Sequence, residues 1–138
     1  MQQDTVLYIH SMADKISKFC SLHVPPSLND MLVCLNKLHG RLEEVATLDV
    51  TFDGIVTKND DDGFTIRLPR LMTDEDKVFY LAKGIGHAFM HLNYPGPGNN
   101  NCTWLLMEPD FYFSLNNNAH AQAFEFAHYF LKDGKHIM

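Results

Sequence analysis

The stretch that most constrains the fold of this chain is residues 80–92, which read YLAKGIGHAFMHL. It belongs to a run from Thr73 to Leu92 in which apolar residues fall on most sides of a helix. Such a helix is central in a fold, because each apolar side needs another element to cover it. Thr73 is the predicted N-cap, and the acidic residues after it suit the positive end of the helix dipole. The rest of the chain is therefore expected to pack around this helix.

The N-terminal part of the chain, residues 3–40, is predicted to be helical. Apolar residues recur at steps of three and four in residues 3–20, which is the pattern of an amphipathic helix. Ser27 is the predicted cap of a second helix, and Gly40 is its predicted end signal. A last helix is predicted for residues 119–132, where apolar residues again recur at helical spacing.

The apolar spacing in the middle of the chain is that of strands. Residues 47–52 alternate apolar and polar side chains, and residues 55–69 form a predicted hairpin with its turn at 59–63. So small a sheet is not stable alone and needs helices on one face. The predicted fold class is α+β, with a small antiparallel three-stranded sheet packed against helices. One domain is expected to span residues 1–138.

Composition excludes several classes of function. The formal net charge is −6 and the Lys and Arg residues do not cluster, which argues against direct binding of nucleic acid. No apolar run approaches the roughly 18 residues that cross a bilayer, and the N-terminus lacks the features of a signal peptide. A cytoplasmic location without membrane contact is therefore expected. The three widely spaced cysteines, Cys20, Cys34 and Cys102, form no C-x-x-C pair and are predicted to be buried thiols.

Two histidines of the central helix, His87 and His91, stand four residues apart and so share one face. Zinc peptidases use such a pair in the motif H-E-x-x-H, where the Glu is the general base for the zinc-bound water. Ala88 follows His87, so this register lacks the base. Two interpretations of His87 stay open: a buried histidine hydrogen-bonded in the core, or a ligand in a metal site formed by His87, His91 and His120.

A register one turn earlier gives a better match to a known family. Residues 79–91 read FYLAKGIGHAFMH, against the family pattern FxLAHELGHALLH. Residues 120–131 read HAQAFEFAHYFL, where the family has a helix with acidic residues, one of which is the third zinc ligand. Residues 45–132 thereby resemble the ImmA/IrrE-type zinc metallopeptidases, which cleave or otherwise inactivate repressors in mobile elements and in some stress responses. The resemblance implies a peptidase-like domain with a zincin-like central helix.

The residues that depart from the family pattern stand at the positions of the zinc ligands and of the catalytic base. His87 matches the second zinc ligand, and Gly86 matches the small residue before it. Lys83 stands where the first ligand would be, Gly84 where the catalytic Glu would be, and Gln122 at an acidic position of the last helix. A catalytic zinc needs about three protein ligands, and a protonated lysine has no lone pair to offer. Lys83 is either an exposed lysine or an ammonium that takes up the space and charge of the ion.

The resemblance therefore implies an inactive, peptidase-like protein without catalytic residues and without a cofactor, with degenerate positions at Lys83, Gly84, His87 and Gln122. The function expected from it is binding of a protein partner, such as a repressor or a host regulatory protein, in a phage or mobile element. The alternative is a zinc-dependent peptidase or metal-binding protein that uses His87, His91 and His120. The sequence leaves the oligomeric state open.

Overall fold

The computed structural model describes residues 3–22, 25–46, 55–58, 63–90 and 121–131, and the structural statements below concern these residues. Its elements follow in this order along the chain: α1 Gln3–Cys20, α2 Leu28–Lys37, β1 Gly40–Val45, β2 Ile55–Lys58, β3 Phe64–Pro69, α3 Asp74–Met90, and a last helix, α4, at 121–131. The α+β class is confirmed. None of the helices in these ranges is both long and apolar enough to cross a membrane.

The predicted helix caps are confirmed at both positions. The N–H of Asp30 donates to Ser27 Oγ at 3.1 Å, and the N–H of Ser27 donates to the Asp30 carboxylate at 3.0 Å. This reciprocal pair is a capping box, and it satisfies two backbone donors that α2 itself cannot pair. At the start of α3 the N–H of Asp76 donates to Thr73 Oγ1 at 3.1 Å. Each helix therefore begins directly after the residue whose side-chain oxygen accepts a hydrogen bond from its first turn.

The predicted end signal of α2, Gly40, is wrong. The helix ends at Lys37, and His39 takes the left-handed conformation, with φ 67°, that turns the chain out of the helix. Gly40 is instead the first residue of β1. Histidine is among the residue types other than glycine that are enriched in this left-handed region.

The sheet is mixed, so the prediction of an antiparallel sheet is wrong for one of its two strand pairs. The strand order is β1-β3-β2, and β2 pairs with β3 antiparallel, as the predicted hairpin requires. β1 pairs with the other edge of β3 in parallel, with Gly40 opposite Phe64 and Leu42 opposite Ile66. A parallel pair needs a long connection, which residues 46–63 with β2 provide. The predicted strand at 47–52 and most of the predicted turn lie outside the described residues.

The apolar core lies between the sheet and the helices. The alternating residues of β3, Phe64, Ile66 and Leu68, are all buried, which confirms the predicted pattern. Helix α3 packs on β2 and β3, and its residues Leu81, Ala82, Ile85 and Ala88 are also buried. The main contributions from the other helices are Ile9, Ala13 and Ile16 of α1, Met31, Cys34 and Leu35 of α2, and Ala123, Phe126, Ala127 and Phe130 of α4.

A buried charge fixes the start of α3 over the sheet. Lys77 is buried in the first turns of α3, and its Nζ lies 2.6 Å from Glu44 Oε2 of β1. The neighbouring pair, Glu43 with Arg67, is more exposed and joins β1 to β3 at 2.5 Å. A lysine that loses its hydration is stable only when a carboxylate is close, so the pair with Glu44 sets where α3 begins relative to β1.

Candidate functional site

The site predicted from the sequence lies where α3 crosses α4. Two pairs of residues are in contact across these helices, in reverse order along α4: Phe79 with His128, and Gly86 with Phe126. Met90 and Gln122, further along in the same sense, line one cleft. The two helices therefore run antiparallel. This arrangement places the start of α4, with Gln122, beside the C-terminal end of α3.

Gly86 is the point of close approach between α3 and α4. A Cβ atom at this position would lie 2.9 Å from Cγ and Cδ1 of Phe126 and 3.1 Å from its Cβ. Contacts below 3.0 Å do not occur between relaxed carbon atoms, so only glycine allows the Phe126 ring to lie this close to α3. Phe126 is fully buried. The small residue at this position thus serves the packing of α4.

Gly84 faces the sheet. A Cβ atom here would lie 2.6 Å from Ile66 Cδ1 and 3.2 Å from Val56 Cγ2. The glycine lets α3 settle onto the side chains of β2 and β3. The position that would hold the catalytic Glu in the family pattern therefore lies against the sheet, and even a Cβ atom there would meet Ile66.

Lys83 and His87 lie one turn apart on the same side of α3, and both are buried. Lys83 is 8% exposed and His87 is 6% exposed, so the interpretation of Lys83 as an exposed lysine is wrong. The Nζ atom of Lys83 lies 5.6 Å from the centroid of the Tyr80 ring, within the range of a cation–π contact. Both Lys83 and His87 also have further polar or electrostatic partners. The ammonium thus stays inside the fold, beside the histidine that matches a zinc ligand.

Gln122 lines an open cleft at the ends of α3 and α4. The cleft has a volume of about 320 Å³, and the described residues that form its walls are Gln122, Met90 and three residues of α1, Thr5, Tyr8 and Ile9. All five side chains are uncharged. The sequence gives no motif for the wall that α1 contributes, because the family resemblance begins only after that helix.

Helix α1 is held against α4 by a group of polar and aromatic contacts. His10 Nε2 lies 2.6 Å from Glu125 Oε2, and the His10 ring stacks on the Tyr129 ring at a centroid distance of 3.8 Å. The Tyr129 hydroxyl donates to Asp14 Oδ2 at 3.0 Å. Burial raises the pKa of Tyr129. The hydrogen bond to Asp14 and the negative charge of Asp14 raise it further. The hydroxyl remains a donor at neutral pH, and these contacts fix one wall of the cleft.

The residues at the degenerate positions do not fit a catalytic zinc ion. Lys83 offers an ammonium, Gly84 offers no side chain, and Gln122 offers only a neutral amide. Within residues 3–22, 25–46, 55–58, 63–90 and 121–131, no three His, Cys, Asp or Glu side chains lie together as a metal site would need. His91 and His120 lie outside these ranges, so the relocated site with His87 remains a prediction.

Comparison of the chain with protein-family models, with curated proteins and with solved structures finds no match. The resemblance to ImmA/IrrE-type peptidases rests on the residues quoted above and also stays a prediction.

Proposed function

We propose that this chain is a catalytically inactive, metallopeptidase-like protein of the cytoplasm that acts by binding a protein partner. The observation that carries the proposal is the state of the central helix. Lys83 is buried one turn from His87, and Gly84 is packed against Ile66. The places of a zinc ligand and of a general base are thus taken by a cation and by the sheet.

The chemistry of peptide hydrolysis supports this reading. A zinc peptidase needs the metal to lower the pKa of its water and a carboxylate to take the proton from it. Any side chain introduced at position 84 would meet Ile66 Cδ1 with its Cβ atom, and Lys83 supplies a positive charge without a lone pair. Both steps of the reaction lack a residue to perform them at the positions that the resemblance marks.

The cleft supports a binding role. Its volume of about 320 Å³ is at the lower end of the about 300–1,000 Å³ of small-molecule pockets, and it suits one or two side chains of a partner protein. Tyr8 and Met90 belong to the residue types that are enriched at protein interfaces. The family resemblance implies the class of partner, a repressor or host regulatory protein in the setting of a phage or mobile element.

Affinity capture tests the binding role with a matched pair of variants on α1. The immobilised chain is incubated with lysate of its native host, and the retained protein is identified, purified and titrated against each variant. Tyr8→Ala removes a cleft residue that is 56% exposed, whereas Phe19→Ala removes a residue that is 65% exposed and does not line the cleft.

We expect Tyr8→Ala to weaken binding about 30-fold or more, because truncating an aromatic anchor costs about 2 kcal/mol. Phe19→Ala should leave the affinity unchanged. Both variants should keep the helical circular dichroism and thermal midpoint of the parent chain, since both residues are exposed. Equal affinity of Tyr8→Ala and Phe19→Ala for the retained protein, or no retained protein, would contradict the proposed role of the cleft.

A further inference from the structure

Two free thiols meet where α1 ends against α2. Cys20 is the last residue of α1, and Cys34 lies in the second half of α2. The Cys20 thiol donates to the main-chain oxygen of Cys34 at 3.7 Å. The sulfur of Cys20 therefore lies against Cys34 across the contact between the two helices.

The surroundings make the two thiols unequal. Lys37 Nζ donates to the main-chain oxygen of Cys20 at 3.3 Å, and its ammonium offsets the negative end of the α1 dipole. The hydrogen bond from Cys34 lowers the pKa of Cys20, and the charge of Lys37 adds to this, against the opposing effect of burial. The same hydrogen bond and burial raise the pKa of Cys34. Cys20 thus carries negative charge more readily, while Cys34 keeps its proton.

Access to solvent differs in the same sense. Both thiols are buried, and Cys20, at 5% exposed, is the more accessible of the two, since Cys34 is 1% exposed. In a pair of an attacking and a resolving cysteine, the attacking thiol has the lower pKa and the greater access, and Cys20 has both relative to Cys34.

We propose that Cys20 and Cys34 form an oxidation site at which a peroxide converts the two thiols into a disulfide bond between α1 and α2. The Cys20 thiolate attacks one peroxide oxygen, the O–O bond breaks, and Cys20 becomes a sulfenic acid while hydroxide leaves. The sulfur of Cys34 then attacks the sulfur of Cys20, and the departing hydroxide takes up the Cys34 proton as water. In total, two thiols are oxidised and one hydrogen peroxide is reduced to two waters.

The bond would act on the wall of the cleft. Helix α1 contributes Thr5 and Tyr8 to that wall, and its C-terminal end would become covalently fixed to α2. A cross-link that closes the loop from Cys20 to Cys34 also restricts the unfolded chain, so oxidation should raise the thermal midpoint. The proposal does not depend on whether the cleft binds a protein.

The test treats the full, reduced chain with hydrogen peroxide and then alkylates the remaining thiols under denaturing conditions. The reduced chain has three thiols. We expect the product to have one, to have lost the mass of two hydrogen atoms, and to give a proteolytic fragment in which the peptides of Cys20 and Cys34 are joined. Cys102→Ser should still form the bond, whereas Cys20→Ser and Cys34→Ser should not.

Mapping of the parent chain and of Cys102→Ser decides the question even when a variant of the pair fails to fold. A disulfide to Cys102, sulfinic acid on Cys20 without a cross-link, or no reaction under conditions that oxidise glutathione would each overturn the proposal. Lys37→Gln should give the same disulfide several-fold more slowly, because the lost charge leaves less thiolate at Cys20. An unchanged rate would overturn the role of Lys37.

Discussion

Replacing Gly84 with alanine should lower the free energy of unfolding by about 1–3 kcal/mol, the usual cost of excess volume in a packed core. A decrease would indicate a steric cost, because helix propensity alone would make the alanine variant about 1 kcal/mol more stable than the parent chain. The new Cβ would lie 2.6 Å from Ile66 Cδ1, and Ile66 is buried, so its side chain must shift inside a packed core. Gly84→Glu should cost more, because its carboxylate would also lose water. Urea unfolding followed by circular dichroism measures both changes.

A double-mutant cycle identifies the contact responsible for this cost. Ile66→Val removes the Cδ1 atom that the new Cβ would meet, while the next atom, Cγ1 at 3.0 Å, stays. Ile66→Val alone should cost about 0.5–1.5 kcal/mol. In the Gly84→Ala background it should cost much less, so that the two changes are not additive. Additivity within about 0.5 kcal/mol, or a stabilising Gly84→Ala, would show that position 84 does not pack on the sheet as described.

Replacing Gly86 with alanine should also lower the free energy of unfolding by about 1–3 kcal/mol. Here, shortening the side chain of Phe126 should not offset the cost. The new Cβ would meet Phe126 at Cβ, Cγ and Cδ1, and leucine keeps all three of these atoms. The clash is close to the main chain of α4, so the helices must separate. Urea unfolding of Gly86→Ala, Phe126→Leu and the double variant measures this.

The same cycle has opposite expected outcomes at the two glycines. Phe126→Leu should add its own cost to that of Gly86→Ala, whereas Ile66→Val should offset part of the cost of Gly84→Ala. If Phe126→Leu restored the stability of Gly86→Ala, the close approach of α3 and α4 at this point would be wrong. The separation of α3 and α4 also matters for the cleft, because Met90 and Gln122 form its walls from these two helices.

The sequence predicts the parts of the fold that depend on local signals. The caps at Ser27 and Thr73 and the alternation along β3 are of this kind, because each follows from residues within a few positions. The parallel pairing of β1 is not, since it joins residues far apart in the chain. The strand itself reads GRLEEV, and its two adjacent glutamates interrupt the alternation of apolar and polar residues by which a strand is recognised. Charged residues of this kind suit an edge strand.

In the candidate site, too, some features follow from the local sequence and others depend on residues that are distant in the chain. The family alignment marks Lys83, Gly84 and Gln122 as departures, but it does not show why glycine occupies position 84. That reason is the contact with Ile66, which no spacing within α3 reveals. The burial of Lys83 and the wall that α1 gives to the cleft likewise depend on elements distant in sequence. Sequence patterns alone therefore mark these positions, and tertiary contacts explain which residues occupy them.

The most direct test of the central claim is the zinc content of the purified chain. The protein is produced in zinc-supplemented medium, purified without chelators, dialysed, and measured by inductively coupled plasma mass spectrometry beside His87→Ala and His120→Ala. If Lys83, Gly84 and Gln122 have replaced the zinc centre, the parent chain should hold far less than one zinc per chain, and His87→Ala should not differ from it. One zinc per chain that is lost in His87→Ala or His120→Ala would contradict the inactive-site account and establish the relocated metal site instead.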